Sequence, residues 1–109
     1  MPDRVRYVLY HDVSAADLRE SAARLRPQAL APFATPIHLT SERFGRVPRS
    51  YITCTEDRAI VPDMQRDMIS KSLPIATRSL RSGHSPFMSM PDQLAQALIE
   101  LVPPAEAAE

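Results

Sequence analysis

Asp57 and His84 are the two residues whose types and positions most clearly suggest chemistry. Asp57 follows a strand-like run, Ser50–Cys54, and His84 follows a second run, Ala76–Leu80. One helix-length segment lies between the runs, so a strand–helix–strand crossover would bring both side chains to the same edge of a sheet. A carboxylate that orients an imidazole, and an imidazole that moves a proton, are two members of a catalytic triad.

The third member of a triad, a nucleophile on a sharp turn, is missing from the sequence. A Gly-x-Ser-x-Gly elbow cannot form, because Gly45 and Gly83 are the only glycines. Ser82 and Ser85 adjoin His84, but neither lies on a glycine-flanked strand-to-helix turn. Both serines are therefore poor substitutes for the nucleophile.

Each of these assignments has a structural alternative. Asp57 could be a surface acid beside Arg58, and His84 could be a loop histidine. Glu56 is a neighbouring carboxylate, which we interpret as solvated. Cys54 could attack as a nucleophile, but a cysteine inside a β-run is more typical of a small packed hydrophobe.

A metal site at His11 and Asp12 is a further alternative. Metal sites need three or four converging ligands, and His38 offers no second ligand at a recognised spacing. We therefore expect neither a metal ion nor a cofactor.

The elements of the first half are weakly marked. Residues 5–10 fit either a short strand or the end of a helix. Ser14, followed three residues later by Asp17, predicts the start of a helix, and Pro27 predicts its end. Residues 37–39 are predicted to form a short extended piece.

The second half predicts alternating strands and helices with parallel strands. Met64 and Met68 are one turn apart and are predicted to face the core. Ser89 and Asp92 predict a capping box for the last helix, whose apolar stripe is Leu94, Leu98 and Leu101. The predicted elements are a strand near 49–54, a helix from Pro62 to about Ser72, a strand near 75–80 and a helix that ends before Pro103.

Composition excludes several functional classes. The 109 residues are 44% hydrophobic and carry 13 basic against 13 acidic side chains without a basic patch, so we expect no nucleic-acid partner. No apolar run approaches the roughly 20 residues that span a bilayer, so we expect no membrane partner. A single cysteine and the lack of a visible secretory signal predict a cytoplasmic protein.

Residues 49–102 resemble the C-terminal end of the α/β-hydrolase fold, in the branch that contains methyl esterases and hydroxynitrile lyases. The run Tyr51–Ile60 and the pair Gly83-His84 carry the resemblance, and residues 25–48 are similar to the cap of bacterial members. The resemblance implies an α/β fold, the C-terminal part of a doubly wound sheet (β-α-β-α) preceded by a helical cap. It divides the chain into a cap and return loop (1–48), a core segment (49–102) and a flexible tail (103–109).

The resemblance also implies roles. Asp57 is the triad acid and His84 the general base, while the serine and the oxyanion hole lie upstream of Met1. His11 would lie in the cap and could line an acyl pocket. Lyases of this branch usually carry a lysine directly after the histidine, where this chain has Ser85, so the resemblance favours a serine carboxylic-ester hydrolase over a lyase.

The expected partners follow from these roles. The substrate would be a small-molecule ester, and a missing N-terminal half or a partner chain would complete the sheet. The alternative is a non-catalytic remnant or partner-dependent fragment without turnover. In either case two strands leave a sheet edge exposed, which predicts association, including a homo-oligomer.

Overall fold

The fold is a two-stranded parallel sheet with helices before, between and after its strands. The computed structural model describes residues 2–102, Pro2 by its backbone only, so the predicted tail at 103–109 lies outside the described residues. No described helix has the length and apolar character needed to cross a membrane. The elements are α1 (Pro2–Leu9), α2 (Ala15–Arg24), α3 (Ala31–Ala34), a 3₁₀ turn (Phe44–Arg46), β1 (Ser50–Cys54), α4 (Pro62–Ser72), β2 (Ala76–Leu80), α5 (Pro86–Ser89) and α6 (Pro91–Leu101).

The predicted strand–helix–strand unit is confirmed. Strand β1 pairs with β2 in parallel, with Ser50 opposite Ala76 and Cys54 opposite Leu80. Helix α4 makes the crossover and begins at Pro62, whose missing N–H costs nothing in the first turn. It ends at Ser72, the C-cap residue Leu73 adopts the left-handed conformation (φ 48°, ψ 62°), and Pro74 then prevents any further helix.

The first half resolves the ambiguity at residues 5–10 in favour of a helix, α1. The predicted cap of α2 is present, since the Ser14 hydroxyl accepts a hydrogen bond from the Asp17 backbone N–H at 3.2 Å. The helix ends at Arg24, before Pro27. The extended piece predicted at residues 37–39 is irregular and pairs with no described strand.

The prediction that Met64 and Met68 face the core is wrong, because their side chains are 53% and 44% exposed. The stripe of α4 that is turned toward the sheet lies one residue further along the helix. It contains Gln65, which is 2% exposed, and Ile69, four residues later. Two methionines one turn apart therefore identified a helix but not its buried side.

The predicted capping box of α6 is also wrong. The helix begins at Pro91, so Met90 is the N-cap residue, and its side chain makes no capping bond. Ser89 instead belongs to α5, where its hydroxyl donates to the Ser85 carbonyl at 3.4 Å. Along the predicted apolar stripe, Leu98 is 51% exposed.

Candidate acid–base site

The carboxylate of Asp57 contacts the imidazole of His84 at the carboxyl ends of the two strands. Nδ1 of His84 lies 3.1 Å from Oδ1 and 3.0 Å from Oδ2 of Asp57. Asp57 is 7% exposed, whereas the His84 side chain is 33% exposed. The structure thus brings together the two residues that the sequence singled out, with the carboxylate buried and the imidazole partly open to solvent.

The loop after β1 holds the Asp57 carboxylate in place. Its Oδ1 accepts hydrogen bonds from the backbone N–H groups of Ala59 at 2.8 Å and Ile60 at 3.0 Å. Backbone donors of this kind stabilise the ionised carboxylate and fix its orientation. Asp57 therefore presents a fixed negative group to His84.

Gln65 attaches this loop to α4, a role that no motif in the sequence predicted. Its Oε1 accepts from the Cys54 N–H at 2.9 Å, and its Nε2 donates to the carbonyls of Cys54 at 2.8 Å and Ile60 at 2.7 Å. These bonds join the end of β1 to the residue that donates to Asp57. One feature of the sequence could have indicated this role. Gln65 lies one turn before Ile69, on the stripe of α4 that faces the sheet, and a buried polar side chain needs hydrogen-bond partners.

The loop that carries His84 runs beside the Asp57 loop, because backbone pairing continues past the strands. Thr55 N–H donates to the Leu80 carbonyl at 2.9 Å, and Glu56 N–H donates to the Ser82 carbonyl at 2.9 Å. The parallel register of β1 and β2 thereby sets how the Asp57 loop and the His84 loop are aligned with each other.

Ser82 and Ser85 are structural in this loop. Ser82 is fully buried, and its hydroxyl donates to the Gly83 carbonyl at 3.0 Å. Ser85 is 2% exposed, and its hydroxyl donates to the Leu9 carbonyl at the end of α1, at 2.9 Å.

The turn between α1 and α2 contacts both loops. His11 Nε2 donates to the Glu56 carbonyl at 2.8 Å, since a carbonyl can only accept. Asp12 Oδ2 accepts from the Gly83 N–H at 2.6 Å. No three metal-ligating side chains converge among residues 2–102, and His11 and Asp12 are each engaged with protein backbone.

The alternative reading of Asp57 as a surface acid beside Arg58 does not fit the geometry. Arg58 stacks over the Tyr7 ring, 4.4 Å from its centroid, and its guanidinium donates to the Tyr7 carbonyl at 3.4 Å. Glu56, interpreted as solvated, is a half-exposed partner of Arg81 at 2.9 Å. The two neighbouring charges thus have partners other than Asp57.

A shallow cleft of about 280 Å³ opens beside His11, lined also by Asp3, Arg6, Tyr7 and Arg58. The expectation that His11 lines an acyl pocket stays a prediction.

Tyr51 lies on β1, the strand that leads to the Asp57 loop. Burial, with smaller contributions from Cys54 and Asp57, raises the pKa of its phenol. The neutral phenol is therefore favoured over the phenolate in the folded chain.

The geometry permits one kind of proton transfer. The Nδ1 proton of His84 points at a carboxylate, so the lone pair resides on Nε2, which has no hydrogen-bond partner among the described residues. Nε2 can take a proton from a nearby hydroxyl, and Asp57 stabilises the imidazolium that results.

Comparison with known proteins places this arrangement in a family. Residues 2–97 match the Alpha/beta hydrolase family, and the chain belongs to that family. Within it, the similar proteins fall in the methylesterase branch.

Three relatives illustrate the match. The chain is 33% identical over 86 residues to putative methylesterase 14 of Arabidopsis thaliana, covering 78% of this chain and 25% of the relative. It is 32% identical over 106 residues to a pyrethroid hydrolase of Sphingobium wenxiniae, covering 95% of this chain and 38% of the relative. The crystal structure of an Arabidopsis methylesterase superimposes with a TM-score of 0.83 at 26% identity, covering 92% of this chain and 43% of that one. The chain thus spans less than half the length of each.

Proposed function

We propose that this chain supplies the acid and the base of a serine carboxylic-ester hydrolase. The observation that carries the proposal is the contact between Asp57 and His84 Nδ1 at the carboxyl ends of adjacent parallel strands. The serine and the oxyanion hole would lie in the part of the fold that corresponds to the unmatched region of the relatives.

In the proposed mechanism His84 transfers a proton twice. Nε2 takes the serine hydroxyl proton as the oxygen attacks the ester carbonyl, and the imidazolium then gives that proton to the departing alcohol. Water next attacks the acyl-enzyme, giving its proton to Nε2, which returns it to the serine as the carboxylic acid leaves. Asp57 remains ionised and stabilises the imidazolium in both halves of the cycle.

Small-molecule carboxylic esters are the proposed substrates. The names of the methylesterase and pyrethroid hydrolase relatives support this class. Ser85 supports hydrolysis over cyanohydrin cleavage, because lyases of this branch usually carry a lysine at this position, whereas this chain has a buried serine bonded to the Leu9 carbonyl.

The second candidate is a partner-dependent chain without turnover of its own. Its support is the exposed apolar surface, since Ala97 is the one described hydrophobic residue that is buried. The chain exposes 8801 Å², whereas a compact monomer of this mass exposes about 6,000 Å². Such a chain would need cover from another polypeptide segment.

Complementation tests the proposal. This chain is joined to, or co-expressed with, an N-terminal segment of a methylesterase relative that carries a Gly-x-Ser-x-Gly elbow, and hydrolysis of short aryl and methyl esters is measured. We expect His84→Ala and Asp57→Asn to lower kcat by about 10⁴-fold. His38→Ala and Asp63→Asn are the matched controls at exposed positions and should leave kcat unchanged. Equal hydrolysis with His84→Ala would show that the acid–base assignment is wrong.

A further inference from the structure

The turn at His11 and Asp12 bonds to both loops of the candidate site, each time at the residue just before a proposed catalytic one. His11 Nε2 donates to the carbonyl of Glu56, which precedes Asp57. Asp12 Oδ2 accepts from the N–H of Gly83, which precedes His84. These two bonds cross 45 and 71 residues of sequence, so they fix tertiary geometry and not local conformation.

Gly83 shows how closely the turn approaches the His84 loop. A Cβ atom at this position would lie 2.7 Å from Asp12 Oδ1 and 2.7 Å from His11 Nε2. Its backbone φ is not positive, so any residue could adopt the conformation. Glycine is needed here for space: the two side chains occupy the volume that another residue would fill.

Asp12 also carries an unusual oxygen. Its Oδ1 is buried and has no hydrogen-bond partner among the described residues. Buried carboxylate oxygens without partners are costly and rare. The fold tolerates this cost beside the loop that carries the proposed base.

We propose that Asp12 and His11 are positioning residues for the Asp57–His84 pair. Asp12 sets the position of the His84 loop, His11 sets that of the Asp57 loop, and together they set the separation of acid and base. This inference rests on the proposed function. According to this inference, the turn between α1 and α2, which belongs to the predicted cap segment, controls the geometry of proton transfer.

The test uses the complemented protein described above. In Asp12→Ala the loop loses its acceptor, and we expect kcat to fall at least about tenfold with KM within about twofold, because a misplacement near 1 Å can cost 10²-fold in rate. Asp12→Asn keeps an oxygen acceptor for the Gly83 N–H and should restore most of kcat. Asp63→Ala and Asp63→Asn, at an exposed position on α4, are the matched controls.

A second pair of variants keeps the test decisive if Asp12→Ala does not fold. His11→Ala should lower kcat, and His11→Gln, whose amide can still donate to the Glu56 carbonyl, should recover it. Circular dichroism and thermal melting accompany every measurement. Alanine variants at positions 11 and 12 that melt earlier but keep the wild-type kcat would overturn the positioning role. If those alanine variants keep the wild-type kcat while His84→Ala abolishes ester hydrolysis, only the positioning role is refuted and the proposed function stands. If hydrolysis does not depend on His84, the proposed function itself is refuted.

Discussion

At the scale of single residues, the site depends on side chains that bond to backbone. Asp57 is held by two amides of its own loop, and Gln65 bonds to both backbone groups of Cys54 and to the Ile60 carbonyl. Fixed acceptors of this kind orient a histidine without needing movement during the reaction. The acid of this pair is therefore preorganised by its surroundings.

Gln65→Leu tests that preorganisation. The substitution leaves the Cys54 N–H and the Ile60 carbonyl without a partner, whereas the Cys54 carbonyl keeps the Asp57 N–H at 3.3 Å. Each unpaired group costs about 1–3 kcal/mol. We expect the complemented protein to lose about 2–4 kcal/mol of unfolding free energy in urea, together with part of its ester hydrolysis. Gln93→Leu, at an exposed position of α6, is the matched control. Equal stability of the two variants would contradict the role of Gln65.

Tyr51 predicts a pH dependence. Because burial raises its pKa in the folded state, the unfolded state loses the phenolic proton first as pH rises. The stabilisation is complete below the ordinary tyrosine pKa of about 10 and is lost as pH rises through the higher folded value. Urea titrations of the complemented protein from pH 9 to 11 should show a steeper decline for wild type than for Tyr51→Phe. Tyr7→Phe, at an exposed position, should follow the wild type.

At the scale of elements, the parallel β-α-β unit does most of the positioning, and it was also the most predictable part. Strand-like runs at Ser50–Cys54 and Ala76–Leu80 with one helix between them favour a right-handed parallel crossover, and that topology placed Asp57 beside His84. Local patterns failed where packing decides: they did not show which face of α4 is buried. The contacts of His11 and Asp12 were not predictable either, because they join segments distant in sequence.

Arg49 links elements in a way that can be tested separately from the site. Its guanidinium donates to the carbonyls of Ser72 at 2.7 Å and Phe44 at 2.8 Å and lies over the Phe44 ring. Lysine cannot reproduce this fork, so we expect Arg49→Lys to cost about 1–3 kcal/mol of unfolding free energy in the complemented protein. Arg66→Lys, whose exposed partner is Asp63, should cost about 0–1 kcal/mol. Similar losses for both would contradict an anchoring role for Arg49.

At the scale of the whole molecule, the two strands differ in character. The middle of β2, Thr77 to Ser79, is polar and exposed, and Arg78 pairs with Glu100 of α6. The middle of β1 is half-buried and includes Tyr51 and Ile52. Charged side chains protect sheet edges, so β2 has the character of an outer strand and β1 that of an inner one. Further strands of the proposed complete hydrolase would thus add beside β1.

The chain on its own should therefore associate. Among the described residues, seventeen large hydrophobic side chains are exposed, and the edge beside β1 that pairs with no described strand invites pairing. Size-exclusion chromatography with light scattering should show species larger than a monomer, and co-expression with the N-terminal segment should suppress them. A monomer that melts cooperatively without any partner would contradict this expectation.

Labelling of the elbow serine by a fluorophosphonate probe tests the central claim most directly, because it reports a single attack and does not depend on the choice of ester. In the complemented protein His84→Ala should slow labelling at least about 100-fold, since general-base assistance contributes about 10²–10⁴-fold. Asp57→Asn should also slow it, and His38→Ala should not. Labelling of His84→Ala at the wild-type rate would contradict the account, since the serine would then be activated by some group other than the Asp57–His84 pair.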